Sequence, residues 1–134
     1  MATQHVFPAS LDSMAQLVER VGDEVVRHGL SSPRVQRLQV AVEEAVVNVI
    51  SYSYGGSGGE IRVRIRRDGS RVMVDLEDDG PAFDPLSAAP PDVTLDLDAR
   101  QTGGLGIMLI RRCTDDLYYR REGEHNILTL AVNI

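Results

Sequence analysis

The chain has 134 residues, of which 43% are hydrophobic and 25% are charged, as is ordinary for one soluble domain with a single core. The net charge of −6 argues against general affinity for nucleic acid. No apolar run approaches the roughly 20 residues that cross a bilayer, and the first residues lack the pattern of a signal peptide. A lone cysteine, Cys113, excludes an internal disulfide framework and fits a reducing compartment. We therefore expect a cytoplasmic protein that does not itself bind nucleic acid or membrane.

The first half of the chain predicts a short strand and two helices. The strand is expected in HVFPA, and apolar residues spaced by three and four predict a helix over 10–28. A second helix is predicted for SSPRVQRLQVAVEEAVVNVISYSY. Ser32 is a suitable N-cap for this helix, and Pro33 a suitable first helical residue.

The second half predicts four strands and one helix. Two strands at about 60–67 and 71–78 are joined by RDGS, a strong hairpin signal. After a long proline-rich stretch, a helix is predicted near LGIMLIRRC, followed by closing strands in DDLYYRRE and NILTLAVNI. Helices that precede strands in this order predict a single α+β domain over 1–134. It would be a two-layer sandwich, with a mixed, mostly antiparallel sheet and about three helices on one face.

The first strand of the hairpin has a basic face, because Arg62, Arg64 and Arg66 alternate with apolar residues. A solvated sheet face is the interpretation that we favour. The alternative is a docking surface for an acidic partner.

Two polar residues interrupt the apolar run of the second helix. Glu44 and Asn48 lie one turn apart, about 40° around the helix axis and well off the core stripe, and Tyr52 is expected to extend the row. Asparagine is a poor residue for a helix interior, because its side chain competes for the backbone. A solvent-facing polar strip is one interpretation. The other is functional: a carboxylate can act as a general base, and an asparagine oxygen can bind a hard cation.

The strand predicted for 71–78 ends in Asp78, and Gly80 follows two residues later. A carboxylate fixed at a strand end can accept a hydrogen bond from an exocyclic amine such as that of adenine. A glycine beside it lets a flat ring approach the backbone. An ordinary turn is the alternative.

The sequence TGGLGIML carries three glycines directly before a helix. Free backbone amides at a helix N-terminus attract phosphate. The stretch is neither a Walker loop, because no Lys-Ser or Lys-Thr follows, nor the dinucleotide fingerprint, because the third glycine is absent. A simple hinge is the alternative.

The order of these three motifs resembles the GHKL, or Bergerat, ATP-binding fold of the histidine-kinase-like ATPase superfamily. LQVAVEEAVVNVI, DDGPAFDP and GGLGIMLI resemble most closely the corresponding motifs of the small anti-sigma-factor serine kinases. The chain departs from that family in two places. Tyr52 stands where the family often has histidine, and GEHNILTL stands where it often has Gly-Thr followed by apolar residues.

The resemblance implies a role for each residue of these motifs. Glu44 would be the base that activates a serine hydroxyl, and Asn48 would bind the magnesium ion that bridges the ATP phosphates. Residues from about 84 to 102 would form a lid over ATP. The other implied ATP-binding residues are Asp78, which would accept from the adenine amine, Gly80, Phe83, Gly103, Gly104, Leu105 and Gly106.

The resemblance also implies an activity and partners. The expected protein is a homodimeric ATP:protein serine/threonine kinase that sequesters a sigma factor and phosphorylates a STAS-type antagonist, and so regulates transcription. The alternative is a nucleotide-gated binding switch of the same fold with little or no kinase activity. Glu44 favours the kinase, because a switch has no need of a base.

Overall fold

A computed structural model describes residues 2–55, 58–87 and 104–134. Among these residues, no helix is long and apolar enough to cross a membrane. A π-helical turn over Val49–Ser53 follows the second α-helix, and a 3-10 turn covers Pro85–Ser87. The strands and α-helices are β1 (Thr3–Pro8), α1 (Leu11–Arg27), α2 (Ser32–Asn48), β2 (Glu60–Asp68), β3 (Arg71–Asp78), α3 (Gly104–Arg112), β4 (Asp116–Glu122) and β5 (His125–Asn133).

The five strands form one sheet in the order β1-β2-β3-β5-β4. All four pairings are antiparallel, so the described sheet contains none of the parallel pairing that a mixed sheet would have. The α+β two-layer prediction is confirmed. The pairing of β3 with β5 sets Asp78 directly opposite Asn126, which brings together two residues that are 48 positions apart.

The core lies between the three helices and one face of the sheet. Period-two alternation gives β2 and β3 an apolar face toward the helices. Each fully buried aliphatic side chain contributes about 1.5–3 kcal/mol to the free energy of unfolding. Members of this core with at most 1% of their surface exposed include Leu17, Val21, Val25, Leu38, Val42, Val46, Ile61, Val63, Ile65, Val74, Leu76, Ile110 and Leu130.

The helix starts follow the predicted chemistry with a shift of one residue in α2. The hydroxyl of Ser10 accepts a hydrogen bond from the Ser13 amide at 3.3 Å and caps α1. In α2 the N-cap is Ser31 rather than the predicted Ser32, and its side chain makes no capping bond. Pro33 still lies in the first turn, where a missing N–H breaks no helical hydrogen bond.

The second helix widens where the sequence predicts a continuous α-helix. Beyond Asn48 the chain makes a π-helical turn, in which the Tyr54 amide donates to the Val49 carbonyl at 3.0 Å. The extra residue in such a turn rotates the residues after it around the helix axis. The Tyr52 ring stacks on Phe83 at 5.3 Å between centroids and 17° between planes. That Tyr52 extends the row of Glu44 and Asn48 stays a prediction.

The basic face of β2 is largely neutralised by the neighbouring strand. Arg62 donates to both Glu77 and Asp79, and these hydrogen bonds raise the pKa of its guanidinium. Arg66 donates to Asp75 at 3.3 Å. Because Arg62 and Arg66 already pair with acidic residues of this protein, a solvated surface remains the favoured interpretation of this face.

Candidate functional site

A pocket opens between α2 and the end of the sheet at which β3 ends and β5 begins. Asp78 continues the alternation of Val74 and Leu76, so its carboxylate lies on the helix side of the sheet. The walls are mostly apolar with a few polar groups, as is usual for small-molecule sites. The pocket is lined by Ala45, Asn48, Val49, Ser53, Leu76, Asp78, Phe83, Pro85, Tyr119, Asn126 and Leu128.

Asp78 is 2% exposed, and its two carboxylate oxygens differ in their surroundings. Oδ1 accepts from the Gly80 amide and from Asn126 Nδ2, each at 2.9 Å. Among the residues that the structure describes, none donates to Oδ2. Because Asp78 lines the pocket and its Oδ1 is already occupied, Oδ2 is the atom of the pocket best suited to bind a ligand donor.

The neighbouring carboxylate, that of Asp79, is directed away from the pocket. It accepts from Arg62 and contacts His125 Nδ1. The pKa of Asp79 is lowered, chiefly by the hydrogen bond from Arg62. Of the two adjacent aspartates, only Asp78 lines the pocket.

Asn126 is a site residue that the sequence analysis missed. It is 3% exposed and lies beside Asp78 at the start of β5. The alternation of β5 could have placed it on the core face, because Asn126, Leu128 and Leu130 share one parity. Its partner across the sheet was not readable from spacing.

Gly80 lies against the π-helical turn. A Cβ atom built on Gly80 would lie 2.4 Å from the carbonyl oxygen of Ser53, a contact that backbone atoms cannot tolerate. This close approach explains the glycine. The role implied for it beneath an adenine ring stays a prediction.

We expect Gly80→Ala to lower the free energy of unfolding by about 2 kcal/mol or more, since the added methyl must displace backbone in a packed region. Urea unfolding measures the change. Ala82 is exposed in the same loop, so Ala82→Ser is the matched control, with an expected effect within about 0.5 kcal/mol. Equal stability of the Gly80→Ala protein and the wild type would contradict the close approach.

The other end of the site is formed where α2 meets the start of α3. A Cβ atom built on Gly106 would lie 3.2 Å from Glu44 Oε2 and 3.9 Å from Asn48 Oδ1. The structure thus brings three predicted site residues together. The first amides of α3, which begins at Gly104, have no acceptor within the helix. Gly103 and the side chain of Leu105 lie outside the described residues.

Asn48 connects the two ends of the site. It is 9% exposed, lines the Asp78 pocket and points its oxygen toward Gly106. In the described part of the chain, no three histidine, cysteine, aspartate or glutamate side chains are close enough to hold a metal ion. A single amide oxygen nevertheless fits Mg²⁺, which usually takes few protein ligands and keeps waters and phosphate oxygens as the others.

Only the first residues of the predicted lid, 84–87, are described. Asp84 Oδ1 accepts from the Leu86 amide at 2.8 Å, and Pro85 lines the pocket. The remainder of the predicted lid, 88–102, lies outside the described residues.

Comparison with known families gives a match over nearly the whole chain. The family model described as "Histidine kinase-like ATPase domain" matches residues 7–132. The serine/threonine-protein kinase BtrW of Bordetella bronchiseptica is 33% identical over 95 residues, which cover 70% of this chain and 67% of that protein. The serine-protein kinase RsbW of Listeria monocytogenes is 33% identical over 114 residues, covering 80% and 72%.

Two solved structures share the fold. One contains the RsbU and RsbW domains of a Mycobacterium tuberculosis protein, with a TM-score of 0.67 and 13% identity over 99% of this chain and 32% of that one. The other is the histidine kinase AdeS of Acinetobacter baumannii, with a TM-score of 0.53 and 14% identity over 98% of this chain and 67% of that one.

Proposed function

Because the chain belongs to the histidine kinase-like ATPase domain family, among the serine-protein kinases related to RsbW and BtrW, we propose that it is an ATP-dependent protein serine/threonine kinase of the anti-sigma-factor type. The observation that carries the proposal is the meeting of Glu44, Asn48 and Gly106 beside the Asp78 pocket. A base, a cation ligand and free helix amides are the groups that phosphoryl transfer requires at one place.

The nucleotide occupies the pocket with its base toward β3. Oδ2 of Asp78 accepts from the adenine amine, and Gly80 and Phe83 lie beside the ring. The phosphates extend past Asn48 toward the start of α3, where amides from Gly103, Gly104, Leu105 and Gly106 donate to their oxygens. Residues 84–102 close over the bound nucleotide as a lid. The support for this arrangement is the Oδ2 atom of Asp78, to which no described residue donates, and the position of Asn48 between the two ends.

Glu44 acts on the protein substrate. The serine hydroxyl oxygen forms a bond to the γ-phosphorus while the bond from that phosphorus to the leaving ADP oxygen breaks. The hydroxyl proton passes to the Glu44 carboxylate, whose side chain is partly exposed and can be reached by a second protein. Asn48 holds Mg²⁺, which when bound neutralises charge on the phosphates.

The partners in this proposal are a sigma factor, which the kinase sequesters, and a STAS-type antagonist, which it phosphorylates. In this proposal the kinase is a cytoplasmic homodimer, and residues 1–134 form one domain. The support is the resemblance of its three motifs to those of anti-sigma-factor kinases, together with the relatives named as serine-protein kinases.

Incubation with γ-labelled ATP, Mg²⁺ and purified STAS-domain proteins from the same genome tests the activity. We expect label on a serine of at least one of them, and the same protein with that serine changed to alanine is the control. ATP with Mg²⁺ should also raise the melting temperature, since saturation at about 100 times Kd stabilises the fold by about 2.7 kcal/mol. Stabilisation by ATP without transfer to any of these proteins would favour the nucleotide-gated switch. Absence of both effects would overturn the proposed function.

A further inference from the structure

Both polar atoms of the Asn126 side chain, Nδ2 and Oδ1, form hydrogen bonds with residues around the pocket. Its Nδ2 donates to Asp78 Oδ1 and to the Pro81 carbonyl, each at 2.9 Å. Its Oδ1 accepts from the Tyr119 hydroxyl at 2.6 Å and from the Phe83 amide at 3.2 Å. Two donors on one side and two acceptors on the other fix which way the amide faces.

This arrangement excludes direct binding of a ligand by Asn126. The two hydrogens of Nδ2 and both lone pairs of Oδ1 already have partners, so the amide has no group left for a base. What it does is act on Asp78. By occupying Oδ1 together with the Gly80 amide, it leaves Oδ2 as the one acceptor that the carboxylate can offer to the pocket.

Asn126 also ties the chain between Asp78 and the predicted lid. Its contacts to Pro81 and Phe83 hold the loop that carries the Phe83 ring, which stacks on Tyr52 at the pocket. The buried side chain of Asn126 therefore positions both the Asp78 carboxylate, which would bind the base, and the Phe83 ring beside it.

We infer that Asn126 is the positioning residue that determines adenine specificity, acting through Asp78 and oriented by Tyr119. The inference rests on the proposed function, because it requires the pocket to hold a purine nucleotide. It assigns a role to the segment GEHNILTL, where the chain departs from the Gly-Thr of its family. With Asn126 in place, a base with a 6-amine finds an acceptor. A base with a 6-oxo group meets a carboxylate oxygen and is rejected.

The test compares the binding of ADP and IDP, which differ in the 6-amine and 6-oxo groups, by calorimetry or competition. We expect wild-type protein to prefer ADP by about tenfold or more, because a site built around a hydrogen bond rejects the analogue that lacks it. Asn126→Leu keeps similar bulk and removes the amide, and the preference should fall below about threefold. Tyr119→Phe removes only the orienting hydroxyl and should lower the preference by about two- to fivefold, with the fold kept.

The matched control is Thr129→Val. Thr129 donates to the buried carboxylate of Asp75 at 2.5 Å from the same strand, but on the face of the sheet away from the pocket. This variant should lower the melting temperature and leave the ratio of ADP to IDP affinity unchanged. If Asn126→Leu and Tyr119→Phe fold and keep the wild-type ratio, Asn126 is only structural and the inference is overturned. Absence of ADP binding by wild-type protein overturns the proposed function and the inference with it.

Discussion

Glu44→Gln is expected to lower the rate of serine phosphorylation by about 10²-fold or more, the usual scale for loss of a general base. The substitution keeps the shape of the side chain and a polar group near Gly106, where the carboxylate of Glu44 lies in the wild type. It removes the carboxylate that accepts the hydroxyl proton. Nucleotide affinity should stay near that of the wild type, because Glu44 does not line the Asp78 pocket. Single-turnover transfer of labelled phosphate, measured alongside ADP binding, separates the two effects.

Asn48→Ala provides the contrast to this result. Asn48 lines the pocket and faces Gly106, so its loss removes the proposed cation ligand, and Mg²⁺-dependent ATP binding should weaken. ADP binding without Mg²⁺ should change much less. A Glu44→Gln protein that phosphorylates at the wild-type rate would contradict the assignment of Glu44 as the general base.

The fold was predictable because local patterns decide it. Alternating apolar residues in β2 and β3 and the RDGS segment between them identified the hairpin, which the structure contains with Asp68 paired to Arg71 across a turn of Gly69 and Ser70. The place of β5 between β3 and β4 was not readable, because strand order depends on contacts between distant segments. The π-helical turn was also unpredictable, since nothing in VISYS distinguishes it from a further α-helical turn.

The candidate site was likewise predictable only where local sequence features mark its residues. Glu44, Asn48 and Asp78 were found from local sequence features: two polar residues interrupt an apolar helix, and a carboxylate ends a strand two residues before a glycine. Asn126 is a polar residue on the core parity of β5, but its role depends on Tyr119, Phe83 and Asp78, which only the fold brings to it. The partners of Arg62 likewise lie across strands, so charge spacing alone left its role open.

Asp78→Asn is expected to reverse the nucleotide preference of the protein. The remaining oxygen can still accept from Gly80 and Asn126, so the loop around the pocket keeps its hydrogen bonds. The new amide group takes the place of Oδ2 and sets a donor against the donor of the adenine amine. We expect affinity for ADP to fall by about 10²-fold, the loss of a charged hydrogen bond together with the unpaired donors that replace it. IDP, whose 6-oxo group accepts, should now bind better than ADP.

Asp79→Asn is the matched control, because it makes the same change of charge and shape one residue away. The Asp79 side chain accepts from Arg62 and contacts His125 outside the pocket, so this variant should keep the wild-type ratio of ADP to IDP affinity. Calorimetric titration of both nucleotides into both variants measures the ratios directly. An Asp78→Asn protein that still prefers ADP would show that the base is read elsewhere. A shift of equal size in both variants would indicate a general effect of charge, because Asp78 lines the pocket and Asp79 does not.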